Sequence, residues 1–146
     1  MSYNIAVAGK GGSGKTSITS LVIRYLKKNG SGPILAVDAD SNANLGESLG
    51  LEVKQTVGLV LDDFQREKIS IPPGMTKEAY LEYKLNSTLV ESKGLDLLTM
   101  GRGEGQDCYC YPNLILRKFI DTLAENYAYI VMDNEAGMEH LSRGTT

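Results

Sequence analysis

The sequence predicts an α/β fold, a mostly parallel sheet flanked by helices, and two observations carry that expectation. Short apolar runs alternate with segments of helical periodicity, the pattern of strands joined by crossover helices. The first of those runs leads directly into a glycine-rich phosphate loop that opens a helix. Four strands are expected, at Asn4–Ala8, Ile34–Asp38, Leu95–Met100 and Tyr129–Asp133. Each is nearly continuous in apolar residues, as strands covered on both faces are.

The helix after the first strand carries Ile18, Leu21, Val22, Tyr25 and Leu26 at the spacing of one apolar face. Lys27 and Lys28 fall in its last turn and Gly30 just beyond, a helix stop. A second helix is expected around Val57, Val60, Leu61 and Phe64. Pro72-Pro73-Gly74 breaks the chain, and Thr76–Leu89 resumes as helix. Pro112 opens a further helix whose Leu116, Phe119, Ile120 and Leu123 face the sheet. The chain stops at Thr146, where a helix should follow the fourth strand. Residues 1–146 are therefore expected to form one domain, the N-terminal portion of a longer protein, with its C-terminal strands missing.

A chain of 146 residues suffices for one compact core, and 42% hydrophobic with 23% charged residues is an ordinary soluble balance. A net charge of −3 exerts no global pull toward nucleic acid or anionic lipid, so neither is an expected partner. No apolar run approaches the ~20 residues of a membrane span. Without a basic leader before Ile5-Ala6-Val7-Ala8, the expected compartment is the cytoplasm, where thiols stay reduced.

The phosphate loop runs Gly9-Lys10-Gly11-Gly12-Ser13-Gly14-Lys15-Thr16, with Ser17 following on the helix. Its glycines let backbone N–H groups turn inward around phosphates where side chains would obstruct. The helix N-terminus adds partial positive charge. Lys15 is expected on the β- and γ-phosphates and Thr16 on Mg2+. Lys10 adds a second cation to a site already served by Lys15, and becomes useful if it points outward to phosphates held by a second copy of the chain.

Asp38-Ala39-Asp40 closes the second strand at the carboxyl edge, where open α/β sheets bind ligands. Either carboxylate also suits loop capping, Asp38 more so. Asp133 follows four apolar residues, the Walker B arrangement that sets a carboxylate beside Mg2+ through bound water. Cys108 and Cys110, the only cysteines, follow Gly101-Arg102-Gly103-Glu104-Gly105 in a loop. Two thiolates half fill a tetrahedral site, and a homodimer supplies the other two by symmetry. Zinc, nickel, copper(I) and an iron–sulfur cluster are all compatible, as is a pair of incidental cysteines. His140, the single histidine, reads as a surface or packing residue.

The phosphate loop with its extra lysine resembles the deviant loop of the SIMIBI-class P-loop NTPases that include MinD, ParA and the nitrogenase iron protein. That resemblance implies that Lys10 reaches across a nucleotide-sandwich homodimer and that Asp40 orients the attacking water, with Lys10, Lys15 and Asp40 as the catalytic set. It implies that Asp38 lies near the Mg2+ shell, that Ser41–Leu45 is a first switch, and that Asp133–Gly137 is a second, with a backbone N–H near Gly137 sensing the γ-phosphate. It also implies a sheet with the third expected strand at one edge, then the second, fourth and first.

Cys108-Tyr109-Cys110-Tyr111 and Asp133-Asn134-Glu135-Ala136-Gly137-Met138-Glu139-His140 more closely resemble the CooC-type ATPases that insert nickel into carbon monoxide dehydrogenase, a similarity running from about Tyr3 to Arg143. It implies ATP with Mg2+, Ni2+ (or Zn2+ in its place) on the two cysteines of each subunit, a homodimer, and the apo-enzyme as partner. Gly144, where a basic residue is expected, and Gln106-Asp107, where relatives often have smaller residues, depart from the pattern. Two other functions compete: an ATP-driven electron donor with a dimer-bridging iron–sulfur cluster, and a MinD- or ParA-like positioning ATPase.

Overall fold

The computed structural model describes residues 2–10, 13–40, 42–66, 71–101 and 110–135; the side chains of 110–113, 115, 116 and 135 fall outside that description. The elements are β1 (Tyr3–Gly9), α1 (Lys15–Asn29), β2 (Ile34–Ala39), α2 (Leu45–Leu49), α3 (Val57–Arg66), α4 (Lys77–Asn86), β3 (Val90–Ser92), β4 (Leu95–Thr99), α5 (Cys110–Ala124) and β5 (Tyr129–Glu135). Among the described residues the sheet runs β1-β5-β2-β4-β3. All neighbours are parallel except β3 and β4. The four expected strands are all present and in the implied relative order, except that β4 is not at the edge, because β3 pairs along its outer side.

The sheet divides the core into two layers because side chains alternate along each strand. Leu35, Val37, Leu98, Ile130 and Met132 face α3, α4 and α5, where Val57, Val60, Leu81, Phe119 and Leu123 complete the cluster. Ile34, Ala36, Leu97 and Val131 face the other way, against Ile23 of α1 and Leu45 of α2. Each such aliphatic side chain contributes about 1.5–3 kcal/mol on full burial. The two layers clamp β2 so completely that every one of its residues is buried.

Four features depart from the sequence-based expectations. The apolar stripe of α1 does not point inward as a whole: Ile23 is 0% exposed, whereas Ile18, Leu21 and Tyr25 are 52%, 63% and 66% exposed. Lys15 and Thr16 reach the strand ends, and that requirement fixes the rotation of the helix; Thr19, Ser20 and Ile23 follow them into the interior. β1 is not covered on both faces either. It pairs with β5 along one side, and its exposed residues alternate with half-buried ones.

The segment expected as one helix to Leu89 ends at Asn86 instead. Thr76 caps its start by accepting the Ala79 N–H at 3.1 Å. At its end the hydroxyls of Ser87 and Thr88 donate to the Lys84 and Leu85 carbonyls, offering the backbone an alternative to further helical turns. The chain then forms β3 and turns through Gly94, at φ 74°, into β4. Finally, α5 begins at Cys110, so this cysteine opens a helix and does not lie in the loop. Pro112 sits in the first turn, where its missing N–H has no intrahelical acceptor to lose.

Candidate nucleotide-binding site

β1 delivers the chain to Gly9 at the carboxyl edge of the sheet, and Ser13 closes the turn that follows. Its N–H and its hydroxyl both donate to the Lys10 carbonyl, at 3.2 and 2.6 Å. A Cβ on Gly9 would stand 2.9 Å from the Ser13 hydroxyl oxygen, so a side chain there would have to turn that hydroxyl away from the Lys10 carbonyl. Gly14 enters α1 at φ 83°, the left-handed region that glycine adopts without penalty. The first helical bond of α1 runs from the Ile18 N–H to the Gly14 carbonyl. The N–H groups of Lys15, Thr16 and Ser17 lie at the helix start, where anions bind. Gly11 and Gly12 lie outside the described residues. The Lys10 side chain is exposed.

The expected carboxylates converge on α1. Lys15 Nζ lies 2.7 Å from Asp40 Oδ2 and 2.8 Å from Asp133 Oδ1. Thr16 Oγ1 donates to the other oxygen of Asp133 at 2.9 Å. Lys15 is only 6% exposed. Burial pulls its ammonium toward the neutral form, but the hydrogen bonds and charges of Asp133 and Asp40 outweigh that, and its pKa is raised. The site thus holds the ammonium expected on phosphate against its own carboxylates.

Asp38 occupies the same sheet row, opposite Asp133 in the β2–β5 register and Thr99 in the β2–β4 register. Its side chain is fully buried, and burial pushes its pKa up, with two backbone hydrogen bonds opposing and the charges of Asp133 and Asp40 adding. Its two oxygens accept the N–H groups of Asp40 and Leu45, at 3.2 and 3.0 Å. Of the two sequence-level alternatives for Asp38, this geometry favours the loop cap.

Two polar groups that the motifs did not mark lie at this end of the sheet. The Thr99 hydroxyl and the Asn134 carboxamide oxygen are buried without a hydrogen-bond partner. Position supplied the available signal: Thr99 ends β4 in the row of Asp38, and Asn134 follows Asp133 on β5. Ser20 of α1 and Ser48 of α2 join their hydroxyls, tying the phosphate-loop helix to the segment after Asp40. Among the described residues no three metal-type ligands come together. Cys108, His140, Ser41 and Gly137 lie outside those residues, and of Cys110 only the backbone is described. No helix among the described residues is long and apolar enough to cross a membrane.

The oxygen donors present suit Mg2+, which prefers carboxylate, hydroxyl, water and phosphate ligands. Thr16 and Asp133 would hold it, directly and through water. Bound there with a nucleoside triphosphate, the ion would neutralise charge on the β- and γ-phosphates.

An AAA-domain family profile matches residues 3–143. The chain belongs to the AAA-domain family. It is 53% identical over 144 residues to an uncharacterised ATP-binding protein of Methanocaldococcus jannaschii, covering 97% of this chain and 56% of that protein. It is 30% identical over 156 residues to the carbon monoxide dehydrogenase accessory protein CooC of Rhodospirillum rubrum, covering 97% of this chain and 57% of the relative. A ParA family ATPase of Chlorobium tepidum superposes with a TM-score of 0.61 at 20% identity, over 99% of this chain and 56% of that one. The architecture is that of ParA/MinD-type P-loop NTPases. It spans little more than half the length of these relatives.

Proposed function

We propose that the protein is an ATP-dependent metallochaperone, a nucleotide-gated homodimer that carries Ni2+ on two cysteines from each subunit toward carbon monoxide dehydrogenase. The observation that carries the nucleotide half is the convergence of Lys15, Thr16, Asp40 and Asp133 at the phosphate loop. The metal half is supported by Cys108-Tyr109-Cys110 together with the 30% identity to CooC. A chain that dimerises over ATP needs to carry only half of a four-thiolate site.

The chemistry follows from charge. The triphosphate offers Lys15 a stronger anionic partner, and as Lys15 turns to it, Asp40 Oδ2 can accept a hydrogen bond from water. That water attacks the γ-phosphorus, the bond to the β–γ bridging oxygen breaks, and ADP and phosphate form. Lys10 of the partner subunit adds positive charge to the transferring group. The nickel ion keeps its oxidation state throughout; ATP closes the dimer around it and hydrolysis opens the dimer again.

Metal analysis of the anaerobically purified whole protein tests this. One Ni2+ or Zn2+ per dimer is expected, lost in Cys108→Ser and in Cys110→Ser. Iron with acid-labile sulfide would favour the electron-donor function. A stoichiometry of one metal per monomer, independent of protein concentration, would rule out the shared site.

A further inference from the structure

We infer that Asp38 is a positioning residue for Asp40: its buried carboxylate fixes the backbone at Asp40 and at Leu45 and so sets where the Asp40 carboxylate stands. The inference rests on the proposed hydrolytic role of Asp40 and adds the device that holds it.

β2 gives out at Ala39, and the chain must reverse before α2 begins at Leu45. Asp38 anchors both limits of that reversal, accepting the N–H of Asp40 at its start and of Leu45 at its end. The anchor is itself rigid. The Asp38 carbonyl accepts the Met100 N–H at 2.8 Å, and its side chain is closed off from solvent. Leu45 is equally buried, in the core layer against α1, and Ser48 one turn on is bonded to Ser20. Between the anchors, Asp40 Oδ1 accepts the Asn42 N–H at 2.9 Å and the Asp40 carbonyl accepts the Ala43 N–H at 3.1 Å.

Ala43 is held at φ 53°, a left-handed conformation that residues with a Cβ keep only when their surroundings enforce it. Its N–H is bonded to the carbonyl of Asp40, the residue whose own N–H Asp38 accepts. The division of labour among the carboxylates is consistent with this. Asp40 and Asp133 hold the side chain of Lys15, whereas Asp38 spends both oxygens on backbone.

The test is Asp38→Asn, nearly isosteric, in which the new NH2 group confronts one of the two backbone donors. Made in the whole protein, it should lower ATP turnover about 10–100-fold, the scale of a misplacement near 1 Å, while affinity for a non-hydrolysable ATP analogue stays within about threefold. Added to Asp40→Asn, the same change should cost nothing further, since a positioning residue acts through the residue it positions. Amide hydrogen exchange of the nucleotide-free protein gives an independent readout. In the unaltered protein the Asp40 and Leu45 amides should exchange slowly, and in Asp38→Asn fast. If Asp38→Asn does not fold, slow exchange of these two amides in the unaltered protein still supports the anchor, and fast exchange there overturns it. A tenfold loss of analogue affinity with exchange unchanged would make Asp38 a ligand contact. Fast exchange with unaltered turnover would show that the turn does not govern Asp40. Absence of hydrolysis by the unaltered protein would sink the hydrolytic function, whereas unchanged exchange in Asp38→Asn would sink the turn-fixing role itself.

Discussion

Lys15 Nζ lies 2.7 Å from the Asp40 carboxylate, so the cation expected to grip phosphate instead neutralises the group expected to face the attacking water. Lys15 also touches Asp133, whose second oxygen is taken by Thr16. Without nucleotide, one ammonium therefore compensates two carboxylates in a cluster that also contains buried Asp38.

Replacing Lys15 with Met should abolish tight nucleotide binding and also weaken the nucleotide-free protein. Breaking one side of a fully buried pair costs about 3–5 kcal/mol. Asp40 keeps 13% of its side chain exposed and solvent screens it, so about 1–3 kcal/mol is expected here. Urea denaturation without nucleotide measures this. A variant as stable as the parent would show that the Lys15 bridge is not a feature of the nucleotide-free protein.

Lys10 should behave oppositely. It is exposed on the loop, and the loop contact it makes uses its backbone carbonyl, so Lys10→Ala should still bind a non-hydrolysable analogue. It should lose analogue-dependent dimerisation and most hydrolysis, because cations supplied in trans are worth about 10³–10⁵ in rate. Sedimentation with the analogue decides the assignment, and normal dimerisation would refute it.

Tyr127 makes a prediction about alkaline stability. Burial, then its 2.6 Å hydrogen bond to Asp96, raises its pKa above the ordinary 10.0. A raised native pKa means that the unfolded chain gives up the proton first as pH climbs. The contribution is therefore intact below pH 10.0 and is lost progressively above it. Tyr127→Phe should cost about 1.5–3 kcal/mol at neutral pH, the worth of a hydrogen bond to a charged acceptor. It should also flatten the fall in stability above pH 10, an effect of up to about 1.4 kcal/mol per pH unit for one group. Urea midpoints at pH 7 and pH 11 provide the comparison.

How far the fold could be read from the sequence depended on what held each element. β2, β4 and β5 were legible because burial on both faces demands continuous apolar residues, and such runs are visible without knowing their neighbours. β3 was not, since Val90-Glu91-Ser92 is too short to display a period and exists by pairing with β4. α2 escaped for a similar reason: five residues are held by Asp38 and Ser20, contacts distant in sequence. The strand-end row of Asp38 and Asp133 could be anticipated from where the apolar runs stop. The partner of Lys15 could not, because a long side chain takes whatever anion is nearest, and spacing does not say which. The rotation of α1 could not be read either, for a related reason. Apolar periodicity places its stripe inward, but the polar residues Lys15, Thr19 and Ser20 occupy the interior.

That rotation leads to the last prediction. Ile18, Leu21 and Tyr25 stand exposed along α1, and on β1 Tyr3 is 72% exposed and stacks on Tyr129. Alongside them, β1 pairs with β5 on one side, and among the described residues its other side is an edge of the sheet. Apolar surface beside an unpaired strand recruits further chains, and each Å² of apolar area covered gains about 25 cal/mol. This chain spans little more than half the length of its relatives, and the 146-residue chain is expected to self-associate and to hydrolyse no ATP. Leu21→Lys with Tyr25→Lys should reduce that association. Both positions are exposed, so the core loses nothing, and lysine is a better helix former than the tyrosine it replaces. Sedimentation velocity over a concentration series, with an ATPase assay on the same samples, tests the expectation. A monomeric, ATP-hydrolysing chain of 146 residues would show that this edge does not need a covering partner. Association unchanged by the two lysines would place the contact on another face of the molecule.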